Sequence, residues 1–374
     1  MPYRYHDTAG VGENQGMVLP FGHPLVSGSA SASPLLRALR GDRPERTPVW
    51  FMRQAGRSLP EYRELRKGTT MLEACLDPAL VAEITAQPVR RHGVDAGILF
   101  SDIVVPLLLA GVDVTIEPGV GPVFAAPVRT AADVAALPPL GAAADRGGFD
   151  RSLDVVREAV SASLGLLGET PLIGFAGAPF TLAAYMVDGR PSRDHLEARR
   201  LMIADPETWH GLMDWAADAA GLFLRAQVLA GASAVQLFDS WVGSLPRDRY
   251  VANCAPASAR AFAHVSDLDV PRIHFGTHTG HLLEDMKAAG ATAMGIDVTV
   301  PLDEAARRLP GVPLQGNIDP AVLGAPWEAV EAHVRDVVRR GMAAPSHVVN
   351  LGHGVPPDTD PDVLSRIVGL VHGD

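Results

Sequence analysis

Short runs of apolar residues recur along the chain, and each run ends in glycine or a polar residue. Their hydrophobicity is continuous rather than alternating, which is typical of strands buried on both faces of a parallel sheet. Stretches with the apolar spacing of helices lie between them. The eight runs are VWFM (49–52), AGILFSD (96–102), LIGFAG (172–177), AVQLFDS (234–240), RIHFGT (272–277), AMGIDVT (293–299), PLQGNID (313–319) and HVVNLGH (347–353).

Two of the intervening segments predict well-bounded helices. In residues 206–231, apolar side chains repeat at spacings of three and four, with Asp205 and Pro206 as cap and first turn. Gly231 is a suitable end for this helix, and residues 327–341 repeat the arrangement and also end at glycine. The members of the apolar face in the first segment are Leu212, Trp215, Ala219, Leu222 and Ala226.

Eight strands that alternate with helices, without a break in composition, predict an α/β fold. We expect a single (β/α)8 barrel of the TIM type over residues 34–374, with an active-site cleft at the C-terminal ends of the strands. A Rossmann-type sheet is the alternative, but no G-x-G-x-x-G follows the first strand. Residues 1–33 are rich in Gly, Ser, Pro and His and are expected to form a flexible N-terminal leader.

Composition narrows the classes of partner. A formal net charge of −11 argues against general nucleic-acid binding, which needs a basic surface. The longest apolar run, residues 103–112, is far shorter than the roughly 20 residues that span a bilayer, and we expect neither a membrane segment nor a secretion signal. Two cysteines, Cys75 and Cys254, predict neither a disulfide framework nor a thiolate metal site and favour the cytoplasm. Small molecules or a second copy of the chain are therefore the expected partners.

In barrels of this type the chemistry takes place where the strands end. The polar residues and glycines at those ends therefore define a candidate mouth of the site. They are Arg53, Asp102, Gly177, Ser240, Thr277, Asp297, Asn317 and His353.

Arginine is concentrated directly after the first apolar run. Residues 51–67 hold five basic side chains against two acidic ones, within a chain of opposite net charge. Arg53 and Arg57 are four residues apart, so both can face one direction on a helix or tight turn. Their planar guanidinium groups pair with carboxylates or phosphates through two parallel hydrogen bonds. The alternative interpretation is a solvated face balanced by Glu61 and Glu64.

Four further candidates each allow a functional and a structural interpretation. Asp102 either presents a carboxylate to the mouth or caps a helix or turn, and Tyr185 belongs either to the site or to the core. Ser240 is a candidate cap for the segment that follows it. His353 lies between two glycines, which allow a ligand to approach the backbone closely.

The histidines of the chain do not predict a metal site. His274, His278 and His281 are close in sequence, but no H-E-x-x-H motif or neighbouring carboxylate completes a ligand set. Phosphate-binding loops and nucleophile elbows are absent from the sequence as well.

Six ordered motifs resemble the uroporphyrinogen decarboxylase family, and the likeness extends from about residue 34 to residue 371. Two departures from the family pattern are Ser58, where an aromatic residue is usual, and Val298, where tryptophan is usual. Both stand beside residues that match the family, so we expect any consequence to concern local packing or substrate fit. The motifs are PVWFMRQAGRSLPEYRELR (48–66), FSDI (100–103), GFAGAPFTLAAYMVDG (174–189), QLFDS (236–240), LQGNIDP (314–320) and NLGHG (350–354).

The resemblance implies an enzyme that converts uroporphyrinogen III to coproporphyrinogen III by removing four acetate carboxyl groups, without metal or cofactor. It also implies a homodimer. By the same resemblance, catalytic roles fall to Asp102, Arg53, Arg57, Tyr185 and His353, while the proton donor stays open. The residues implied in substrate binding are Arg53, Gln54, Arg57, Arg66, Asp102, Tyr185, Phe238, Ser240 and His353.

Two other functions remain open at this point. A corrinoid or thiol methyltransferase of the same barrel superfamily would need a zinc site with cysteine and histidine ligands, and the chain lacks a suitable cysteine pair. A non-catalytic tetrapyrrole carrier would need the arginines but not Asp102.

Overall fold

Continuous apolar runs give rise to the parallel strands of the protein, whose computed structural model describes residues 19–28, 30–141 and 148–373. Within these residues, seven strands form one curled parallel sheet and two form an antiparallel hairpin. The strands are β1 (Gly97–Ile98), β2 (Val114–Glu117), β3 (Gly121–Phe124), β4 (Leu172–Gly177), β5 (Ala234–Asp239), β6 (Arg272–Gly276), β7 (Ala293–Gly295), β8 (Leu314–Gln315) and β9 (His347–Val348).

Helices follow the strands along the chain. Short 3-10 helices lie at Val242–Ser244, Gly280–Leu282 and Pro320–Gly324. The α-helices are α1 (Pro24–Ser27), α2 (Pro34–Leu39), α3 (Pro60–Leu65), α4 (Met71–Cys75), α5 (Pro78–His92), α6 (Val105–Leu109), α7 (Ala131–Ala135), α8 (Gly148–Ser152), α9 (Asp154–Leu167), α10 (Pro179–Asp188), α11 (Leu196–Ala204), α12 (Pro206–Ala230), α13 (Arg247–Asn253), α14 (Ala255–Ala263), α15 (Leu283–Ala288), α16 (Leu302–Arg308), α17 (Trp327–Gly341) and α18 (Pro361–His372).

The spatial order of the sheet is the order of the chain, β1-β4-β5-β6-β7-β8-β9, and every neighbouring pair is parallel. All six residues of β4 are buried, as expected for a strand covered on both faces. With every strand parallel, all their C-terminal ends lie on one side of the sheet, and this side carries the site.

Seven of the eight apolar runs contain a strand, whereas the run at 49–52 is reduced to a single parallel bridge. Only Val49 forms a ladder bridge, with Val349. The backbone turns away soon afterwards, because Arg53 adopts a φ of 61°. The β2–β3 hairpin is a feature that the sequence did not predict.

The two well-bounded helices are confirmed. The Asp205 side chain accepts a hydrogen bond from Thr208 N at the start of α12, and Gly231 follows its last residue with a φ of 129°. Helix α17 spans Trp327–Gly341 and so ends at the expected glycine.

Part of the expected leader lies outside the described residues, namely 1–18 and 29. In the described part, His23, the N-cap residue of α1, contacts α12: its buried ring places Nε2 3.0 Å from the carbonyl oxygen of Val228. The boundary at residue 33 stays a prediction. Across the described ranges, no helix combines the length and apolar character needed to cross a bilayer.

Candidate active site

The arginine-rich segment is held in place by hydrogen bonds to its backbone. Met52 N donates to Asn350 Oδ1 at 2.9 Å, and Met52 O accepts from Val355 N at 2.8 Å. The amide of Gln54 accepts from Phe51 N at 3.0 Å and donates to Ala96 O at 2.9 Å. Since non-glycine residues rarely adopt a positive φ, these bonds stabilise the turn at Arg53.

The Arg53 side chain lies directly across Gly354. A Cβ atom built on Gly354 would be 2.4 Å from Arg53 Cδ and 2.7 Å from Arg53 Cγ. Only glycine allows this contact, because real Cβ atoms do not approach other heavy atoms so closely. The segment after β9 therefore sets the direction of the Arg53 side chain.

Arg53 and Arg57 are exposed, and within the described residues neither guanidinium group forms an ion pair. Many other arginines of this acidic chain do form one, as Arg260 does with Asp218 at 2.7 Å. A pair of unneutralised guanidinium groups is suited to an anionic ligand with carboxylate or phosphate groups.

The other two arginines of the segment have partners inside the protein. Arg63 Nη1 donates to Arg57 O at 2.6 Å, so Arg63 supports the backbone of its neighbour. Arg66 Nη1 donates to Thr70 O, and its guanidinium carbon lies 5.9 Å from the ring centre of Tyr62. These contacts fix the orientation of α3.

Asp102 follows β1 by four residues and is half-buried. Its Oδ1 accepts a hydrogen bond from Val104 N at 3.0 Å. Burial raises the pKa of the Asp102 carboxyl above its ordinary value, while that hydrogen bond and the positive charge of Arg53 act in the opposite direction. This carboxylate can accept N–H donors and stabilise a positive charge in a ligand.

Tyr185 lies in α10, the helix that follows β4, and is 8% exposed. Burial raises the pKa of the Tyr185 hydroxyl, a hydrogen bond with Trp241 opposes this shift, the negative charge of Asp102 adds to it, and the positive charge of Arg53 opposes it. Arg53, Asp102 and Tyr185 are thus close enough to influence one another electrostatically. They come from three separate parts of the sequence and meet at the mouth.

His353 joins this group from the segment after β9. It is exposed overall, but partial desolvation of the ring, followed by the charge of Arg53, lowers the pKa of His353 below its ordinary value. The imidazole is accordingly neutral at pH 7 in the unliganded protein.

The end of β5 contributes an aromatic surface. Phe238 is half-buried and packs edge-to-face on Phe175 and Phe275, with ring centres 5.4 Å and 5.9 Å apart. Ser240, also half-buried, accepts a hydrogen bond at its carbonyl from Thr277 Oγ1 at 2.6 Å. The capping interpretation of Ser240 was wrong, because Trp241 holds the N-cap position of Val242–Ser244.

Some expected members of the mouth use their side chains within the protein. Gln54 is fully buried, with both ends of its amide bonded to the backbone, so it supports the arginine turn without surface for a ligand. Asp297 Oδ1 accepts from Thr299 N at 3.0 Å, and Asn317 Nδ2 donates to Asp297 O at 2.7 Å. These bonds hold the residues at the edge of the mouth in place.

The two departures from the family pattern, Ser58 and Val298, differ in burial and in their contacts. The Ser58 hydroxyl is buried and has no hydrogen-bond partner among the described residues. Val298 is 43% exposed and lies against Gly352, where an added Cβ would be 2.6 Å from Val298 Cγ1. In the parts of the chain that the structure describes, no three side chains of His, Cys, Asp or Glu are grouped as metal ligands.

Sequence reasoning missed three residues around Tyr185, namely Asp188, His195 and Trp241. The His195 ring is 6.2 Å from that of Tyr185 and 4.8 Å from that of Trp241. Trp241 directly follows Ser240, so its position next to the QLFDS motif was a signal that could have identified it. His195 lies outside every motif, so only the fold brings it to the site.

Comparison with known proteins is consistent with this geometry. The model of the family described as uroporphyrinogen decarboxylase (URO-D) matches residues 30–373. Uroporphyrinogen decarboxylase of Arthrobacter sp. (strain FB24) is 63% identical over 348 residues, which cover 93% of this chain and 99% of that protein. The protein of the same name from Leifsonia xyli subsp. xyli is 62% identical over 371 residues, covering 94% and 97%.

Among solved structures, a methyltransferase from Methanosarcina mazei superposes with a TM-score of 0.74. The match covers 90% of this chain and 96% of that one, at 19% sequence identity. At this identity the likeness shows a shared fold.

Proposed function

Because the chain belongs to the uroporphyrinogen decarboxylase family, we propose that it removes the four acetate carboxyl groups of uroporphyrinogen III to give coproporphyrinogen III. The observation that carries this proposal is the pair of exposed guanidinium groups without an ion pair among the described residues, Arg53 and Arg57, of which Arg53 interacts electrostatically with the half-buried carboxylate of Asp102. The substrate carries a partner for each kind of group: its side-chain carboxylates pair with the guanidinium groups, and its pyrrole N–H groups donate to the Asp102 carboxylate.

The arginines receive the carboxylates of the substrate in this proposal. A hydrogen bond to a charged group contributes about 1.5–3 kcal/mol, so two such residues hold a polycarboxylate firmly. Arg66 has partners of its own and acts from the edge of the site, and Gln54 supports the turn. Ser240 binds or orients the substrate, and Phe238 packs on the macrocycle with its exposed surface.

Asp102 stabilises the charged intermediate. Loss of CO2 leaves an electron pair that needs a sink, and a pyrrole protonated on carbon supplies one within the substrate. The carbon-protonated ring is cationic until CO2 leaves. The Asp102 carboxylate accepts hydrogen bonds from the pyrrole N–H groups and stabilises this charge. Tyr185 lies within the electrostatic reach of Asp102 and orients the substrate at the reacting side chain.

His353 is our choice of proton donor among the available groups. Arginine is too weak an acid, with a pKa above about 12. Burial raises the pKa of Tyr185 further and makes it a poorer donor. The lowered pKa of His353 makes its protonated form the stronger acid of the two, and the carboxylates of a bound substrate would favour that form.

Two structural expectations belong to the same proposal. The segment around Val49 serves as the eighth strand that closes a (β/α)8 barrel: Val349 N donates to Pro48 O at 2.9 Å on one side, and Asp95 N donates to Val49 O at 2.8 Å on the other. The enzyme acts as a homodimer in the cytoplasm, as the family resemblance implies. Light scattering of the purified protein tests the dimer.

The test of function is anaerobic incubation of chelator-treated protein with uroporphyrinogen III, followed by oxidation and separation of porphyrins by carboxylate number. Stepwise appearance of seven-, six-, five- and four-carboxylate species is expected. Binding without turnover would identify a carrier instead. Activity that requires added zinc and a methyl donor would favour the methyltransferase.

A further inference from the structure

Tyr185 is enclosed by two other rings. Its ring centre is 6.1 Å from that of Trp241 and 6.2 Å from that of His195, and both contacts are edge-to-face. The rings of His195 and Trp241 are 4.8 Å apart, so each of the three contacts the other two. In a close-packed interior, such a ring can move only if its neighbours move as well.

One member of this triangle is fixed by a buried ion-pair geometry. His195 Nδ1 lies 2.9 Å from Asp188 Oδ2, and the two side chains are 1% and 5% exposed. Asp188 is three residues after Tyr185 on α10, hence on the same side of the helix. Because an ionised carboxylate only accepts, Nδ1 carries the proton and the ring orientation is set by Asp188.

The backbone of His195 is held in an uncommon conformation. Its φ of 47° and ψ of 44° lie in the left-handed region, which is unfavourable for a non-glycine residue. His195 N donates to Ser192 Oγ at 3.1 Å, and His195 O accepts from Arg199 N at 3.0 Å in the first turn of α11. This turn directs the imidazole towards α10 and the ring of Trp241.

One polar atom of the triangle, His195 Nε2, is buried and has no hydrogen-bond partner within the described residues. Trp241 also contacts the polar end of Tyr185, because a side-chain hydrogen bond with Trp241 lowers the pKa of the Tyr185 hydroxyl. An unpaired buried polar atom costs stability, but an apolar ring at position 195 would leave the buried Asp188 carboxylate without its partner. Burial also lowers the pKa of His195, although Asp188 acts in the opposite direction. The bond to Asp188 therefore requires a histidine at this position, and the ring that it fixes is the one that contacts Tyr185.

We propose that Asp188 and His195, together with Trp241, are positioning residues that fix the Tyr185 side chain against the substrate. The proposal rests on the function proposed above, in which Tyr185 orients the reacting side chain. None of the three touches the reacting atoms. They act through Tyr185, and Asp188 connects the tyrosine helix to the loop before α11.

The test compares His195→Phe in two backgrounds, the natural chain and Tyr185→Phe. Phenylalanine keeps a ring beside Trp241 but removes the bond to Asp188. We expect kcat to fall about tenfold in the natural background with KM within twofold, and no further fall in the Tyr185→Phe background. Equal falls in both backgrounds, or no fall in either, would overturn the proposal.

Conservative changes at Asp188 separate positioning from simple packing. Asp188→Asn keeps an oxygen that accepts from Nδ1, so kcat should stay within about twofold, whereas Asp188→Leu should reproduce the loss. A matched control is His264→Phe, which breaks a similar pair between His264 Nε2 and Asp218 Oδ1, 3.0 Å apart, between α14 and α12. This control should leave kcat unchanged, and a loss equal to that of His195→Phe would contradict us.

A measurement without turnover keeps the inference separate from the proposed function. With 3-fluorotyrosine incorporated, the 19F signal of Tyr185 is assigned by its loss in Tyr185→Phe. His195→Phe should shift or broaden that signal, and His264→Phe should not. An unchanged signal would refute the positioning role, whereas failure of the natural protein to decarboxylate uroporphyrinogen III would refute only the function.

Discussion

At the scale of single residues, Asp102 is expected to be the most sensitive position for chemistry. Asp102→Asn keeps the shape but loses the charge that stabilises a cationic intermediate. Loss of such electrostatic stabilisation commonly costs about 10²–10³ in kcat. Single-turnover measurement of CO2 release checks this, and an Asp102→Asn enzyme within tenfold of the natural kcat would contradict the assignment.

The same substitution should not lower stability at neutral pH. Burial raises the pKa of Asp102 above its ordinary 3.8, so its folded form favours the protonated carboxyl, and the associated stability is lost as pH rises through the folded pKa. Asparagine removes that cost. We expect the Tm of Asp102→Asn to equal or exceed the natural value at pH 7, with the advantage vanishing below about pH 3.8. Asp248→Asn, an exposed change of equal charge, is the control.

Gly354→Ala should displace the Arg53 arm without removing its charge. The added Cβ would be 2.4 Å from Arg53 Cδ, so the side chain must leave its place. Loss of one charge-assisted contact predicts a KM increase of about 10- to 100-fold with a smaller change in kcat.

Two variants control this prediction in steady-state kinetics. Gly324→Ala adds the same methyl group where no atom lies within 4 Å, and its KM should be unchanged. Once Arg53 is replaced by alanine, Gly354→Ala should have no further effect on KM. A further rise in that background would mean that Gly354 acts on the substrate by another route.

How far the sequence predicted the site depends on what each side chain contacts. Asp102 and His353 follow β1 and β9, and Arg53 follows the run that is bridged at Val49, so the rule that sites form where parallel strands end groups them in advance. Gln54 is next to Arg53 in sequence, yet its amide bonds backbone atoms at Phe51 and Ala96, which no motif reveals. The position of His195 depends on a left-handed turn and a bond across seven residues, and neither has a sequence signal.

At the scale of elements, a helix side chain supplies hydrogen bonds to β4 at a position that the short neighbouring strand β1 does not reach. Phe175 in β4 faces β1, as Ile173 does two residues earlier, but β1 ends at Ile98. Gln227 of α12 supplies both bonds: its Oε1 accepts from Phe175 N and its Nε2 donates to Phe175 O, each at 2.9 Å.

Gln227→Leu should therefore lower the free energy of unfolding by about 2–4 kcal/mol, because two buried backbone groups lose their partners. Denaturant unfolding measures this loss, provided that the slope of the unfolding free energy against denaturant concentration is the same in both proteins. Gln227→Glu keeps one acceptor but buries a charge, so it should be no more stable than the leucine variant. A loss below about 1 kcal/mol for Gln227→Leu would mean that β4 repairs its bonds elsewhere.

The strands were predictable because burial on both faces leaves continuous apolar runs, as in β4 and β5. Their ends were less predictable. Runs 313–319 and 347–353 yield strands of only two residues, although parallel pairing continues past them, with Gly316 N donating to Val348 O and Ile318 N donating to Asn350 O, each at 3.0 Å. The β2–β3 hairpin lacks a continuous run, since only Val114 and Phe124 of its residues are buried.

At the scale of the whole molecule, the sign of the charge at the mouth opposes that of the protein. The net charge of −11 repels a polycarboxylate at long range, whereas Arg53 and Arg57 attract it at short range. Salt shortens the screening length from about 10 Å at 0.1 M to about 3 Å at 1 M, so it weakens the long-range repulsion and the exposed attraction together.

The short-range attraction should dominate KM, because the two guanidinium groups are exposed and carry no competing internal ion pair within the described residues. We therefore expect KM for uroporphyrinogen III to rise several-fold between about 0.05 and 0.5 M salt, with kcat nearly constant. Arg57→Gln should raise KM and flatten this dependence. Arg37→Gln, which makes the same change in net charge on α2, should leave the dependence unaltered. Equal flattening by both variants would assign the attraction to the net charge of the molecule, and the arginine pair would lose its proposed role.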